Sequence, residues 1–360
     1  MCEVSNFEEP GAVILHAGIC EGAAGQLAVL PRWQYKRVKM ENSDISYNFS
    51  IAKVASILMV VIGHYFGGIL WIPTTFALFV FAFSSGYFTS NKYRSNFDLK
   101  KFWHAKIVRL SYPLLIINLF LLIIFIAQSR VGIVSWQTLP SILGLSGFLT
   151  WFGINSPSPF GAGLWFFTLL LLFYLFYPLF SKFNQNHVVA VLFLFTCLLI
   201  ASTLNYMVPM GDGLWITAFA FIFGNYAGKY GLIIDPRICI IIFCISCLLL
   251  VVLNVAMNFN NLNYFFILFS SISIVAFLLN SKLPNFIINK LLLLSGCVIQ
   301  IYFIHTYLFV HEITKYTVIN FMISMVIIIS CAMLLNKVTS YLCVAMQNVA
   351  NENAQQGKSS

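Results

Sequence analysis

Ten long apolar runs follow one another from about residue 49 to residue 343. A transmembrane helix needs about 20 mainly apolar residues. Charged residues make up only 9% of the chain, against about 25% in soluble domains. The sequence therefore predicts an all-α, polytopic integral membrane protein. We place the ten spans at 49–69, 71–90, 106–128, 162–181, 187–204, 213–230, 234–255, 262–280, 291–311 and 317–343.

A weaker apolar stretch at 137–152 contains Pro140 and Gly144. Non-helical backbone at membrane depth is tolerated where protein or a water-filled cavity surrounds it. We therefore predict that this stretch is a re-entrant or interfacial segment and not an eleventh span.

Basic residues lie mostly in alternate loops between the predicted spans. The net charge of +9 does not form one patch, which argues against nucleic-acid binding. Because cytoplasmic loops carry an excess of Lys and Arg, the pattern predicts that both termini are cytoplasmic. The residues on that side are Arg32, Lys36, Arg37, Lys39, Lys92, Arg94, Lys100, Lys101, Lys182, Lys229, Arg237, Lys282, Lys290 and Lys337.

The two ends of the chain differ in composition from the apolar middle. Residues 1–45 are Gly- and Ala-rich, lack the pattern of a signal peptide, and are expected to form a poorly ordered leader. Met40 stands just before the first span, and one hypothesis is that translation starts there. Residues 46–345 form the predicted membrane-embedded domain, and 346–360 a polar cytoplasmic tail.

Lys53 and His64 are the only ionisable groups in the first strongly apolar run, residues 50–66, apart from the Tyr65 phenol. Their spacing of eleven residues places them on one helix face, about 16 Å apart along the axis. Ionisable groups at bilayer depth usually face a protein interior and serve function. His64 can act as a general base. The alternatives are a packed histidine and a lysine that snorkels to the headgroups.

A second group of candidates lies at the cytoplasmic end of the third run. Lys106 and Arg109 are three residues apart and share a helix face. Such cations can hold the phosphates of a cytosolic nucleotide-type donor, although topological anchoring also explains them. Tyr302 and His305 could line a cavity near the outer end of the ninth run. Trp165 opens the fourth run, where an interfacial aromatic belt is the simpler explanation.

Taken together, these motifs resemble acyltransferase family 3, a family of integral membrane proteins, over about residues 45–343. Two departures keep the charge but lose arginine's bidentate geometry: lysine stands at 53, where arginine is common, and at 106, where the family has the first of two arginines. The matching positions are Lys53 and His64; Ser85, Gly86 and Tyr87; Lys106, Arg109 and Pro113; Leu164, Trp165, Tyr177 and Pro178; and Tyr302 and His305.

The resemblance implies a membrane O-acyltransferase of the bacterial inner membrane, in particular an O-acetyltransferase. It would move an acetyl group from cytosolic acetyl-CoA, a co-substrate, to a hydroxyl of a cell-surface or lipid-linked polysaccharide such as a lipopolysaccharide O-antigen. No metal is expected.

The resemblance also implies a role for each candidate residue. His64 would be the catalytic base, and Lys106, Arg109 and Lys53 would bind the donor. On the acceptor side, His305, Tyr302 and Trp165 would bind the substrate.

Two other classes of function stay open at this stage. A transporter or flippase of a glycan precursor would also have about ten spans and buried charges, but we find no internal repeat of the kind such proteins often show. A structural or assembly subunit would leave Lys53 snorkelling and His64 merely packed. Under the enzyme hypothesis, Lys53 and His64 mark the two ends of one passage, with the donor below and the acceptor above.

Overall fold

The computed structural model of the chain describes residues 42–94, 97–208, 213–256, 263–284 and 289–359. The predicted leader and the proposed start at Met40 lie outside the described residues, apart from the first residues of helix α1. The described residues form helices and connecting segments without a β-strand, as the all-α prediction requires.

Thirteen α-helices make up the described part of the chain. They are α1 Asn42–Phe66, α2 Trp71–Lys92, α3 Leu99–Ala127, α4 Thr138–Ile142, α5 Ser146–Trp151, α6 Trp165–Phe183, α7 His187–Met207, α8 Gly213–Tyr230, α9 Pro236–Val251, α10 Asn263–Asn280, α11 Asn289–Ser295, α12 Val298–Ile304 and α13 Thr317–Ser359.

Within these ranges, eight helices are long and apolar enough to cross a membrane: α1, α2, α3, α6, α7, α9, α10 and α13. Each corresponds to one of the ten predicted spans. Of the other two, span 213–230 coincides with α8, whose C-terminal half includes the polar Asn225 and Lys229. The predicted span 291–311 is not one continuous helix. It divides into α11, α12 and a 3₁₀ turn at His305–Tyr307.

Helices α2 and α8 pack tightly against each other through glycines. A side-chain carbon on Gly86 would overlap the carbonyl oxygen of Phe221, and one on Gly224 would overlap that of Phe83. Small residues at a helix interface allow the backbones to approach, which is how helices pack in membranes without a strong hydrophobic drive. Helix α2 also packs against α1.

The short helices α4 and α5 occupy the stretch 137–152, which agrees with the prediction that this stretch is not a span. They pack against the start of α6. The Thr168 hydroxyl accepts a hydrogen bond from the Gly147 amide (2.9 Å) and donates one to the Gly144 carbonyl (2.8 Å). These bonds attach the α4–α5 turn and the first turn of α5 to α6. The loop between α5 and α6 reaches the C-terminal end of α1, where Gly163 lies beside His64.

Candidate active site

His64 lies in the last turn of α1, and its side chain is exposed. Its Nδ1 is 2.8 Å from Nε2 of His305, and the two rings are nearly parallel, with centroids 5.0 Å apart. His305 is 1% exposed. The structure therefore joins the first helix to the broken segment 289–307 through a pair of imidazoles, one open and one buried.

The bonds of His305 determine which nitrogens carry hydrogen. Its Nδ1 lies 2.7 Å from the carbonyl oxygen of Tyr302 and 3.2 Å from that of Ile301. Carbonyls only accept, so Nδ1 of His305 carries a hydrogen, and in the neutral ring Nε2 then carries a lone pair. That lone pair accepts the Nδ1–H of His64. The Nε2 of His64 is then unprotonated and can take a proton.

The loop between α5 and α6 is attached to the same segment by two tyrosines. The Tyr302 hydroxyl donates to the carbonyl of Gly163 (2.8 Å), and the Ala162 amide donates to the Tyr307 hydroxyl (2.9 Å). A side-chain carbon on Gly163 would lie 3.9 Å from Cε1 of His64. The loop thus stands beside the His64 ring.

Trp165 begins α6, two residues after Gly163, and is partly buried. Its ring edge lies 3.5 Å from the position that a side-chain carbon on Gly213 would take, at the start of α8. Of the three residues predicted to bind the acceptor, His305 touches His64 directly, Tyr302 reaches the neighbouring loop, and Trp165 packs towards α8. Their role in binding substrate stays a prediction.

The predicted donor residues gather around the start of α3 and the end of α2. Lys106 Nζ donates to the Thr89 hydroxyl (3.0 Å) and lies 4.0 Å from the centre of the Tyr174 ring. Lys53 Nζ lies 5.1 Å from the centre of the Phe88 ring. Aromatic faces attract cations, so both lysines are held inside the bundle and do not extend freely to its surface.

Arg109, on the same helix as Lys106, is exposed. The charges of Lys53, Lys106 and Arg109 are close enough to repel one another. In the part of the chain that the structure describes, none of the three forms an ion pair with a carboxylate; ion pairs join Lys101 to Asp98 and Lys282 to Asp44. A cluster of cations without a protein counterion is suited to binding an anion.

Three residues that contact the candidate residues in these two regions were not predicted from the sequence. Thr89 and Tyr174 hold Lys106, and Tyr307 holds the loop beside His64. Thr89 lies one turn before the end of α2 and looks like an ordinary polar residue near a membrane surface. The tyrosines resemble the other aromatic residues of an apolar span. Tyr307 follows His305 by two residues, which is the one signal that could have drawn attention to it.

The fold and these two polar regions define a multi-pass membrane protein with a cation cluster and, apart from it, an imidazole pair. Residues 46–342 match the family model of an acyltransferase domain, that of acyltransferase family 3. The chain therefore belongs to this family, as its motifs predict, and is an acyltransferase enzyme. No curated protein and no solved structure matches it.

Proposed function

We propose that this acyltransferase moves an acetyl group from acetyl-CoA to a hydroxyl of a cell-surface or lipid-linked polysaccharide, such as a lipopolysaccharide O-antigen. The observation that carries the proposal is the 2.8 Å contact between Nδ1 of His64 and Nε2 of His305, whose own Nδ1 is bonded to the Tyr302 carbonyl. With both rings neutral, this arrangement leaves Nε2 of His64 free to take a proton. An imidazole nitrogen with a free lone pair can act as a general base.

In the proposed reaction, Nε2 of His64 takes the proton of the acceptor hydroxyl as its oxygen attacks the carbonyl carbon of the thioester. The C–O bond of the ester forms and the C–S bond breaks. The proton on Nε2 then passes to the departing sulfur, and free CoA thiol leaves. Throughout, the Nδ1–H of His64 stays bonded to His305, which keeps the ring oriented.

The donor's phosphates would lie against Lys106, Arg109 and Lys53. Two of these cations are lysines, which attract phosphate as point charges without the paired geometry of arginine. The eleven residues from Lys53 to His64 cover about 16 Å of helix. The donor is a long molecule with its phosphates remote from its thioester, so its two ends would occupy the two regions at once.

The proposed topology has ten spans with both termini in the cytoplasm of a bacterium, in its inner membrane. It adds α8 and the broken segment 289–307 to the eight long apolar helices. Broken helices occur in membrane proteins where they are buried in protein or line a cavity. This arrangement puts Lys53 and Lys106 towards the cytoplasmic supply of acetyl-CoA, and His64 towards an extracytoplasmic acceptor.

Mass spectrometry of surface glycans tests the donor group and the acceptor class together. Glycans from cells that make the protein should carry one acetyl group more than glycans from matched cells without it. Glycans of identical mass in the two cell lines, with the protein present in the membrane, would overturn the proposal that surface polysaccharide is acetylated.

A further inference from the structure

Gly163 lies beside Cε1 of the His64 ring. Gly163 is exposed, and its backbone φ is +74°. A side-chain carbon there would meet Cγ2 of Thr306 at 3.6 Å and Cε1 of His64 at 3.9 Å, both ordinary contact distances. The added atom would therefore find space, although the positive φ strains the backbone of any residue with a side chain, and the atom would touch the imidazole.

The loop that carries Gly163 is fixed at three successive residues. The Ser146 hydroxyl donates to the Gly161 carbonyl (2.9 Å), the Ala162 amide donates to Tyr307 (2.9 Å), and Tyr302 donates to the Gly163 carbonyl (2.8 Å). Each bond would have to break or lengthen for the loop to move outward. A side chain at 163 would thus fill the adjacent space, because the loop is held in place and cannot shift outward to make room for it.

The position of the space beside Gly163 matters because only one nitrogen of the His64 imidazole is free to take a proton. Cε1 lies between the two nitrogens of the imidazole, and Nδ1 of His64 is already bonded to His305. The space beside Gly163 therefore borders the ring at the carbon to which Nε2 is bonded. A hydroxyl bonded to Nε2 would have the rest of its molecule close to this space.

We propose that Gly163 determines acceptor specificity: its missing side chain leaves room for the sugar that carries the attacked hydroxyl. This inference rests on the proposed function. In this proposal, Gly163 distinguishes acceptors by size, because a saccharide needs the space and a small acceptor such as water or methanol does not. Added bulk at 163 should therefore block the sugar and spare the small acceptors.

The test compares Gly163→Ala with the wild-type full chain in two assays. One is the acetylation of surface glycans in cells, and the other is thiol release from acetyl-CoA by purified protein with water and methanol as acceptors. One methyl group in a close-fitting site changes a rate by about 10- to 200-fold. We expect glycan acetylation to fall by at least about tenfold more than the cleavage of acetyl-CoA by water and methanol.

Gly153→Ala is the matched control, since Gly153 has a similar φ of +64° but open space where a side chain would stand. It carries the same backbone strain without a contact to His64 and should behave as wild type in both assays. Asparagine tolerates positive φ better than alanine, so Gly163→Asn, paired with Gly153→Asn, serves if the alanine variant does not fold.

Two results would overturn the inference. In one, the Gly163 variant loses thiol release and glycan acetylation to the same extent, which would mean that the residue supports His64 or the fold and does not select the acceptor. In the other, the variant acetylates glycans as wild type does. A failure of the proposed function looks different, because the wild-type protein itself would then leave surface glycans unacetylated.

Discussion

His305 accepts a hydrogen bond from His64 across 2.8 Å, although the two residues stand 241 positions apart in the chain. The buried ring is fixed in turn by the carbonyl of Tyr302. Together these bonds leave a single nitrogen of His64 unprotonated and hold it in place. His305 is therefore a positioning residue in our account, and His64 is the group that would meet the substrate.

Replacement of His305 by alanine should lower kcat and leave the KM for acetyl-CoA unchanged. Without the acceptor, the Nδ1–H of His64 loses its partner and the ring can adopt the other tautomer. The loss should be smaller than that caused by removal of the base itself, which contributes about 10²- to 10⁴-fold. Steady-state thiol release by purified protein measures both constants.

The conservative variant His305→Gln provides the control, because its amide oxygen can accept the same hydrogen. It should recover part of the lost kcat. If alanine and glutamine at 305 reduce turnover equally while the protein stays folded, the buried histidine serves packing alone.

The double variant Lys106→Ala, Arg109→Ala should raise the KM for acetyl-CoA with little effect on kcat. A hydrogen bond to a charged group contributes about 1.5–3 kcal/mol, which corresponds to roughly tenfold or more in affinity for each lost contact. Added salt should raise the KM of the wild-type protein for acetyl-CoA, since salt screens charges near the surface. The difference in KM between the wild type and the double variant should therefore become smaller as salt is added.

Lys100→Ala, Lys101→Ala removes the same charge from exposed positions on the first turn of α3. We expect its KM for acetyl-CoA to stay close to that of wild type. An equal rise in KM for both double variants would assign the effect to general positive charge and remove Lys106 and Arg109 from the phosphate site.

Gly224→Ala should destabilise the protein, because the added carbon would overlap the carbonyl of Phe83 in the contact between α2 and α8. Overpacking of this kind costs about 1–3 kcal/mol. Thermal unfolding in detergent should show a lower midpoint. Gly296→Ala is the comparison, since a side chain there has its nearest neighbour at 3.4 Å; equal midpoints for the two variants would contradict the close packing of α2 and α8.

The helices and the position of the first candidate residues could be predicted from the sequence, because apolar length and helical period decide them. Lys53 and His64 are eleven residues apart in one apolar run, which predicts that they belong to the same helix, and both lie in α1. The partner of His64 could not be predicted in this way. His305 stands in a mainly apolar run of spanning length, and that length predicts one continuous helix where the structure has a break between Ser295 and Val298.

The partners of the donor cations were hidden for a related reason. Thr89 and Tyr174 meet Lys106 only because α2, α3 and α6 lie side by side, and helix periodicity says nothing about which helices become neighbours. The tyrosine hydroxyls that bind residues 162 and 163 are similar cases. A tyrosine in an apolar run predicts burial of its ring, whereas the partner of its hydroxyl depends on a loop far away in sequence.

The most direct test of the account is the turnover of His64→Ala, measured as thiol release from acetyl-CoA by purified full-length protein with methanol as acceptor. His187→Ala, at an exposed position at the start of α7, controls for the loss of a histidine and should match wild type. The account predicts that kcat of His64→Ala falls by about 100-fold or more while the unfolding midpoint is kept. A folded His64→Ala protein that turns over at the wild-type rate would contradict it.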